Sequence, residues 1–144
     1  MAIFLDSGFY LGLLHKQDRH NDRAREWLQK IRSGFFGQVY TSNFVMAEAA
    51  TIVASRTKGN PLAIEKTRQL FIGELQIATI IRASEDDERI AWDLFLKLSK
   101  TKELVSEGGI VSFVDCTCII LCQAHRIEHI ASFDGHFKPW LKYP

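Results

Sequence analysis

Four acids in this chain stand where chemistry would need them: Asp6, Glu48, Asp115 and Asp134. Asp6 stops the apolar run AIFL, and Asp134 follows the apolar stretch IASF. Asp115 comes after an apolar approach made of Ile110, Val111, Phe113 and Val114. Glu48 is a lone acid among Phe44, Val45, Met46, Ala47, Ala49, Ala50, Ile52 and Val53. An acid in such surroundings needs a partner or an ion. Carboxylates forced together repel and desolvate one another, so their pKa values rise unless a counter-ion is present. A cluster of hard oxygen ligands suits Mg²⁺ or Mn²⁺, which accept waters and substrate phosphates as their remaining ligands. One or two such ions can serve phosphodiester hydrolysis by activating water and stabilising the developing charge. Taken singly, each acid also has a plainer reading. Asp6 and Asp115 can cap helices, and Asp134 can begin an Asp-Gly turn.

The acids can meet only if the intervening elements bring them to one edge. Ala2 to Leu5 reads as a buried strand, followed by a short helix from Ser7 to Leu14 that Gly8 and Gly12 weaken. Asn21 can cap a helix running to about Arg32, and Gln38 to Thr41 reads as a second strand. Ser42 or Asn43 caps a helix from Phe44 to Arg56, and Gly59-Asn60-Pro61 breaks it from an amphipathic helix over Leu62 to Gly73. Gln76 to Arg82 has the β-branched content of a third strand. Ser84 with Asp87 starts a helix that carries Ile90, Ala91, Leu94, Phe95 and Leu98 inward. A polar loop over Thr101 to Ile110, containing Gly108-Gly109, precedes a helix beginning at Asp115. The last strand is Ile130 to Phe133, and a tail bearing Trp140 and Tyr143 packs on the body.

Strands separated by helical crossovers run parallel. The expected fold is therefore α/β: a three-layer α/β/α sandwich with a central, mostly parallel sheet, as a single domain over residues 1–144. Ligands in such sheets bind outside the carboxyl ends of the strands. Asp6 and Asp134 follow strands directly, and Glu48 and Asp115 lie near helix starts at that same edge.

Composition narrows the class. A chain of 144 residues with 47% hydrophobic and 24% charged residues can bury a continuous core. Net charge is +1, which excludes a basic nucleic-acid arm but not a nucleic-acid enzyme whose acids offset basic residues elsewhere. Three cysteines, all between Cys116 and Cys122, do not form an even disulfide framework. Asp6 arrives too early for a signal peptide, and no window approaches a membrane span, so a cytoplasmic protein is expected.

Three stretches then carry a resemblance: FLDSGFYLGLL with the following Asp18 and His20, then TSNFVMAE, then SFVDCTCIILCQAHRIEHIASFDGHF. In order and spacing they resemble the PIN-domain family, and within it the small VapC-like toxins. The resemblance implies a parallel-sheet α/β/α fold and Mg²⁺- or Mn²⁺-dependent endoribonuclease activity on RNA. It maps the family's acidic positions onto Asp6, Glu48, Asp115 and Asp134. Asp6, Asp115 and Glu48 are then the primary ligands, and Asp134 completes the site or holds a second ion. It also points to Ser7 or Ser42 as a small hydroxyl at the metal, to a homodimer, and to a cognate antitoxin as partner. Two other outcomes share the resemblance: a non-toxin PIN nuclease in RNA processing, and a catalytically idle PIN module that binds RNA or protein. Cleavage of DNA or flap structures uses the same metal chemistry, but this chain has no room for the larger arches it favours. Two departures stand out. The helix after Asp115 carries three Cys with Ile119, Ile120 and Leu121 where Ala is frequent, and Ser132 stands where Thr is common. Both are expected to change packing and not chemistry.

Basic residues near the pocket should hold a phosphate backbone: Lys16, Arg19, Arg23 and Arg25 after the first helix, and Arg56 and Lys58 at the end of the Glu48 helix. For any one of them a solvated helix face is the plainer reading. Cys118, Cys122 and His125 share a helix face but read as packing. His15, Asp18 and His20 could gather a metal, though a polar loop explains them as well. Phosphate-loop, dinucleotide and G-x-S-x-G patterns are absent. The Phe9, Trp27, Phe35 and Phe36 region is a candidate apolar partner surface, with the core as the equal alternative for all four.

Overall fold

The structure is a computed structural model that describes residues 1–106 and 109–144. Four parallel strands form its sheet: β1 (Ala2–Leu5), β2 (Gln38–Ser42), β3 (Thr79–Ile81) and β6 (His129–Ala131). Their lateral order is β3-β2-β1-β6. The helices α1 (Ser7–Leu14), α2 (Asn21–Arg32), α3 (Asn43–Arg56), α4 (Pro61–Ile72), α5 (Glu85–Lys100) and α6 (Phe113–Ala124) fill the crossovers. The chain thus builds outward from β1 through β2 to β3, then returns to the opposite flank of β1 as β6. The order reverses between β1 and β6, and there the loops leaving adjacent strands diverge and open a crevice.

The central strand is buried because nothing in it is polar. Ile3, Phe4 and Leu5 are all fully buried, with Phe4 in register with Tyr40 on one side and Ile130 on the other. The Thr41 hydroxyl donates to the Leu5 carbonyl over 2.8 Å, which ties the carboxyl end of β1 to β2 just before Asp6.

Helix starts follow their capping residues. Ser42 caps α3, Asn60 caps α4 with Pro61 in the first turn, and Ser84 with Asp87 closes a reciprocal box on α5. Asn21 was expected to cap α2; it is the first helical residue instead, and its amide donates to the Gly12 carbonyl over 2.8 Å. The helix expected to begin at Asp115 starts two residues earlier, because Ser112 is the cap and Asp115 occupies its third position. Ile90, expected inward on α5, is half exposed, whereas Ala91 and Leu98 are buried. The polar loop expected after α5 contains a short antiparallel pair, β4 (Val105–Ser106) with β5 (Gly109–Ile110). Gly108, singled out in that loop, lies outside the described residues. The tail packs as expected: Trp140 and Tyr143 rest against the core, and Leu141 is buried.

Of the four aromatics considered for a partner surface, three are interior. Phe9, Phe36 and Trp27 are buried, and only Phe35 is exposed. Phe9 lies on α1 against Tyr10, and Phe36 packs beside His129 of β6. Exposed apolar groups cluster elsewhere, on α4 (Leu62, Ile64, Ile72) and on α5 (Ile90, Trp92, Leu96). Met46, Ala50, Ile64, Thr67 and Phe71 line an apolar groove between α3 and α4.

Gly12 tightens the region that carries the site. A Cβ added there would meet Ala24 Cβ at 3.2 Å and the Phe133 ring at 3.3 Å. Gly12→Ala is expected to destabilise the fold by about 1–3 kcal/mol through overpacking. A thermal melt beside the wild type checks this.

Candidate metal centre

Asp6, Asp115 and Asp134 meet at the crevice between β1 and β6. Each offers a carboxylate oxygen, and these oxygens lie within 4.8 Å of one another. Asp6 is delivered by β1 and is 1% exposed. It stands at the cap position of α1, yet its carboxylate makes no capping bond. One oxygen, Oδ2, accepts from the Ser132 hydroxyl over 2.8 Å. The other, Oδ1, is buried without a hydrogen-bond partner.

Asp115 has a double role. Its backbone N–H donates to Ser112 Oγ over 3.0 Å, and its own carboxylate Oδ2 accepts from the Ser112 N–H over 2.9 Å. The capping box therefore orients a carboxylate that also belongs to the acidic trio. Asp134 follows β6 and starts the turn Gly135–Phe137; its N–H donates to Ser132 Oγ over 3.1 Å, and the Tyr143 hydroxyl donates to its carbonyl.

Glu48 stands beside this group and not within it. Its Oε1 accepts from the Ser7 hydroxyl over 2.5 Å. Residues 48, 52 and 56 recur at helical spacing, so Glu48, Ile52 and Arg56 present one face of α3 to the same cavity. Asp134, which the sequence ranked last, belongs to the tight trio, and Glu48 adds its charge from one side. Of the two hydroxyls considered, Ser7 is at the site through Glu48, whereas Ser42 is spent capping α3.

Burial and mutual repulsion set the electrostatics of these acids. Burial, then the nearby Asp115, pushes Asp6 up from 3.8 to about 7, against the opposing Ser132 hydrogen bond. Burial raises Asp115 to about 6, with Asp134 and Glu48 adding to it while the Ser112 N–H and His136 pull it back. Carboxyls raised by burial and by one another favour a positive charge placed among them. The donor set is all oxygen, and one of those oxygens is buried and unpaired. That fits a hard divalent cation such as Mg²⁺ or Mn²⁺.

Asp115, Asp134 and Glu48 line a cavity of about 430 Å³, with Asp6 buried behind them. Arg19, His20 and Arg56 line it, together with Asp18, Ser112 and Phe133. Of the basic residues considered, Arg19 and Arg56 reach the cavity. Lys16, Arg23, Arg25 and Lys58 do not line it, and Arg23 pairs with Glu26 at 3.6 Å on the outer face of α2. His15, Asp18 and His20 form no metal-binding group among the described residues. Asp18 accepts the His20 N–H over 2.7 Å, and the His20 ring stacks on Phe133. Cys116, Cys118 and Cys122 are buried free thiols. Burial raises all three, Cys116 to about 11 and Cys118 well beyond its usual range, so they remain protonated packing groups.

Ser132 is the site residue that sequence reasoning passed over. It was expected to affect packing alone, but its hydroxyl bridges Asp6 and the Asp134 N–H. Its place two residues before Asp134, at the end of an apolar strand, was the available signal.

Comparison with known proteins follows the same lines. The family model described as PIN domain matches residues 3–139. No curated protein sequence matches the chain. Among solved structures, the Mycobacterium tuberculosis toxin VapC20, described as cleaving the sarcin-ricin loop, superposes with a TM-score of 0.74 at 22% identity, covering 95% of this chain and 93% of its own. VapBC2 from Rickettsia felis, bound to a DNA fragment from its promoter, gives a TM-score of 0.68 at 16% identity, covering 100% and 98%. FitAcB from Neisseria gonorrhoeae gives 0.67 at 21% identity, covering 98% and 95%. At these identities the three structures establish a shared fold.

Proposed function

The chain belongs to the PIN-domain family, a family of nucleases, and from that premise we propose that it is a Mg²⁺- or Mn²⁺-dependent endoribonuclease, the toxin of a toxin–antitoxin pair. The observation that carries the reading is the trio of carboxylates within 4.8 Å, with one buried oxygen of Asp6 unpaired. Asp6, Asp115 and Asp134 would hold the cation, and Glu48 would add to the site from across the cavity. When bound, such an ion polarises a phosphate oxygen and lowers the pKa of water.

The protein's own groups do the rest. The Ser112 box fixes the Asp115 carboxylate, and Ser132 fixes Asp6 while holding the Asp134 backbone. Ser7 restrains Glu48 through its short hydrogen bond. Arg19 and Arg56 at the cavity wall are placed to grip phosphates beside the scissile one. RNA is the substrate we assign. The family's small toxins cleave it, and the similar VapC20 carries that description for the sarcin-ricin loop.

A cognate antitoxin is the partner we assign, on the resemblance to the VapC-like toxins and the likeness to the VapBC2 and FitAcB structures. The apolar groove between α3 and α4 is a surface such a partner could cover. We further read the chain as a single domain that forms a homodimer and works in the cytoplasm. Exposed Ile90, Trp92 and Leu96 on α5 supply apolar area for self-association. Among the described residues no helix is long and apolar enough to cross a membrane.

Labelled RNA, single-stranded DNA and duplex DNA, each incubated with Mg²⁺ and with chelator, test the assignment. Cleavage of RNA that chelator abolishes is the expected outcome. Equal cleavage of RNA in chelator, or cleavage of DNA alone, would overturn it.

Ser132→Ala is expected to weaken binding of Mn²⁺ by about 10–100-fold, the usual effect of losing a hydrogen bond that orients a ligand. Ser132→Thr keeps the hydroxyl and should bind nearly as the wild type. Calorimetric titration of both variants measures this.

A further inference from the structure

Three rings stack at the wall of the acidic cavity. Trp27 of α2 lies against Phe133 with centroids 4.7 Å apart and planes 9° from parallel. Phe133 lies against His20 at 4.1 Å and 5°. Trp27 is buried, while Phe133 and His20 are partly exposed and line the cavity that holds Asp115 and Asp134. The stack therefore runs from the core to the substrate side and ends on His20. One face of that imidazole is covered by Phe133.

His20 is also tied to its neighbours, through its backbone and through its ring. Asp18 Oδ1 accepts the His20 backbone N–H over 2.7 Å, and Arg19 Nε donates to His20 Nε2 over 3.1 Å. Gly12 lets Phe133 and His20 approach: a Cβ there would meet the Phe133 ring at 3.3 Å and His20 Cβ at 3.6 Å. A flat ring held beside a guanidinium, next to a phosphodiester-cleaving site, matches the way unpaired nucleic acid is gripped: a base on an aromatic face and its phosphate on a cation. Packing alone would not require the outermost ring to be a cavity-lining histidine tied to an arginine.

We propose that the face of His20 left uncovered by Phe133 is a stacking platform for one unpaired nucleobase of the substrate, with Arg19 contacting a neighbouring phosphate. The proposal rests on the nuclease reading and adds to it a residue that contacts a substrate base.

The test is equilibrium binding of a labelled single-stranded RNA, with Ca²⁺ in place of Mg²⁺ so that turnover does not interfere. A series of the same RNA carries one abasic position at a time. In the wild type one abasic position should weaken binding on the order of tenfold. His20→Ala should weaken binding of the intact RNA by a similar factor and lose its sensitivity to that position. His20→Trp, which restores an aromatic face, should recover both. Arg19→Ala should lower the dependence of log affinity on log salt by about one phosphate contact. A loosened loop would weaken binding without removing the response to one particular base. Unchanged binding by His20→Ala, or a persisting abasic response in that variant, overturns the platform and leaves the nuclease reading intact. A wild type that binds no RNA overturns both.

Discussion

Asp115→Asn is expected to lower Mg²⁺-dependent RNA cleavage by about 10³-fold or more while leaving the protein folded. Asn keeps the shape and still offers an oxygen to the Ser112 N–H, so the box that starts α6 survives. What it loses is one of three charges within 4.8 Å of one another. Charge stabilisation of several kcal/mol is what a cation contributes to phosphoryl chemistry, and each 1.36 kcal/mol is a factor of ten. Glu48→Gln is the informative companion. Glu48 lies outside the tight trio and keeps its place through Ser7. Its loss should therefore cost about tenfold, far less than loss of Asp115. Equal, large losses in both variants would restore Glu48 to the primary ligand set that the sequence suggested. Full activity of Asp115→Asn would remove Asp115 from the site.

The metal-free protein should melt at a lower temperature at pH 8 than at pH 5, by about 10 °C. Asp6 is held at about 7 and Asp115 at about 6 in the folded chain, against an ordinary value of 3.8. Below about pH 4 both carboxyls are neutral whether the chain is folded or not. As pH rises from there to about 7, the unfolded chain gives up protons that the folded chain keeps. Stability falls through that window and levels off once the folded site has ionised as well. The loss amounts to on the order of a few kcal/mol. Asp6→Asn should flatten much of the slope, because it removes the more deeply buried of the two groups. Mg²⁺ should restore the melting temperature at pH 8 and change little at pH 5, where protons already occupy the acids. Scanning calorimetry in chelator and in Mg²⁺ reads all of this. A melting temperature that is flat or rising between pH 5 and 8 in chelator would contradict it.

The sheet was legible because its strands are short apolar or β-branched stretches between helical segments, and parallel pairing follows from the crossovers. The positions of Asp6 and Asp134 followed directly, since both end such runs. Lateral strand order was less accessible. Nothing in AIFL states that β6 pairs on the opposite flank from β2, yet that placement makes the β1–β6 crevice and brings Asp134 close to Asp6. Glu48 was conspicuous as a charge in an apolar helix, but its helix turns it toward Ser7.

Ser132 was passed over because a serine in a strand is unremarkable until its two hydrogen-bond partners, 126 residues away and two residues on, are known. The aromatics were ambiguous for a related reason. Phe9, Trp27 and Phe36 are as apolar as any partner surface, and only the fold reveals that they are interior. His20 was read as a loop residue, and its stacking on Phe133 joins segments 113 positions apart, which no local pattern announces.

The most direct test of the central claim is Mn²⁺ binding, followed by the loss of the free-ion electron paramagnetic resonance signal. The wild type at pH 8 should take up Mn²⁺ at micromolar protein, Mg²⁺ should displace it, and Asp6→Asn and Asp115→Asn should each abolish most of the uptake. Undiminished Mn²⁺ uptake by the Asp6→Asn, Asp115→Asn double variant, or no uptake by the wild type, would contradict the account.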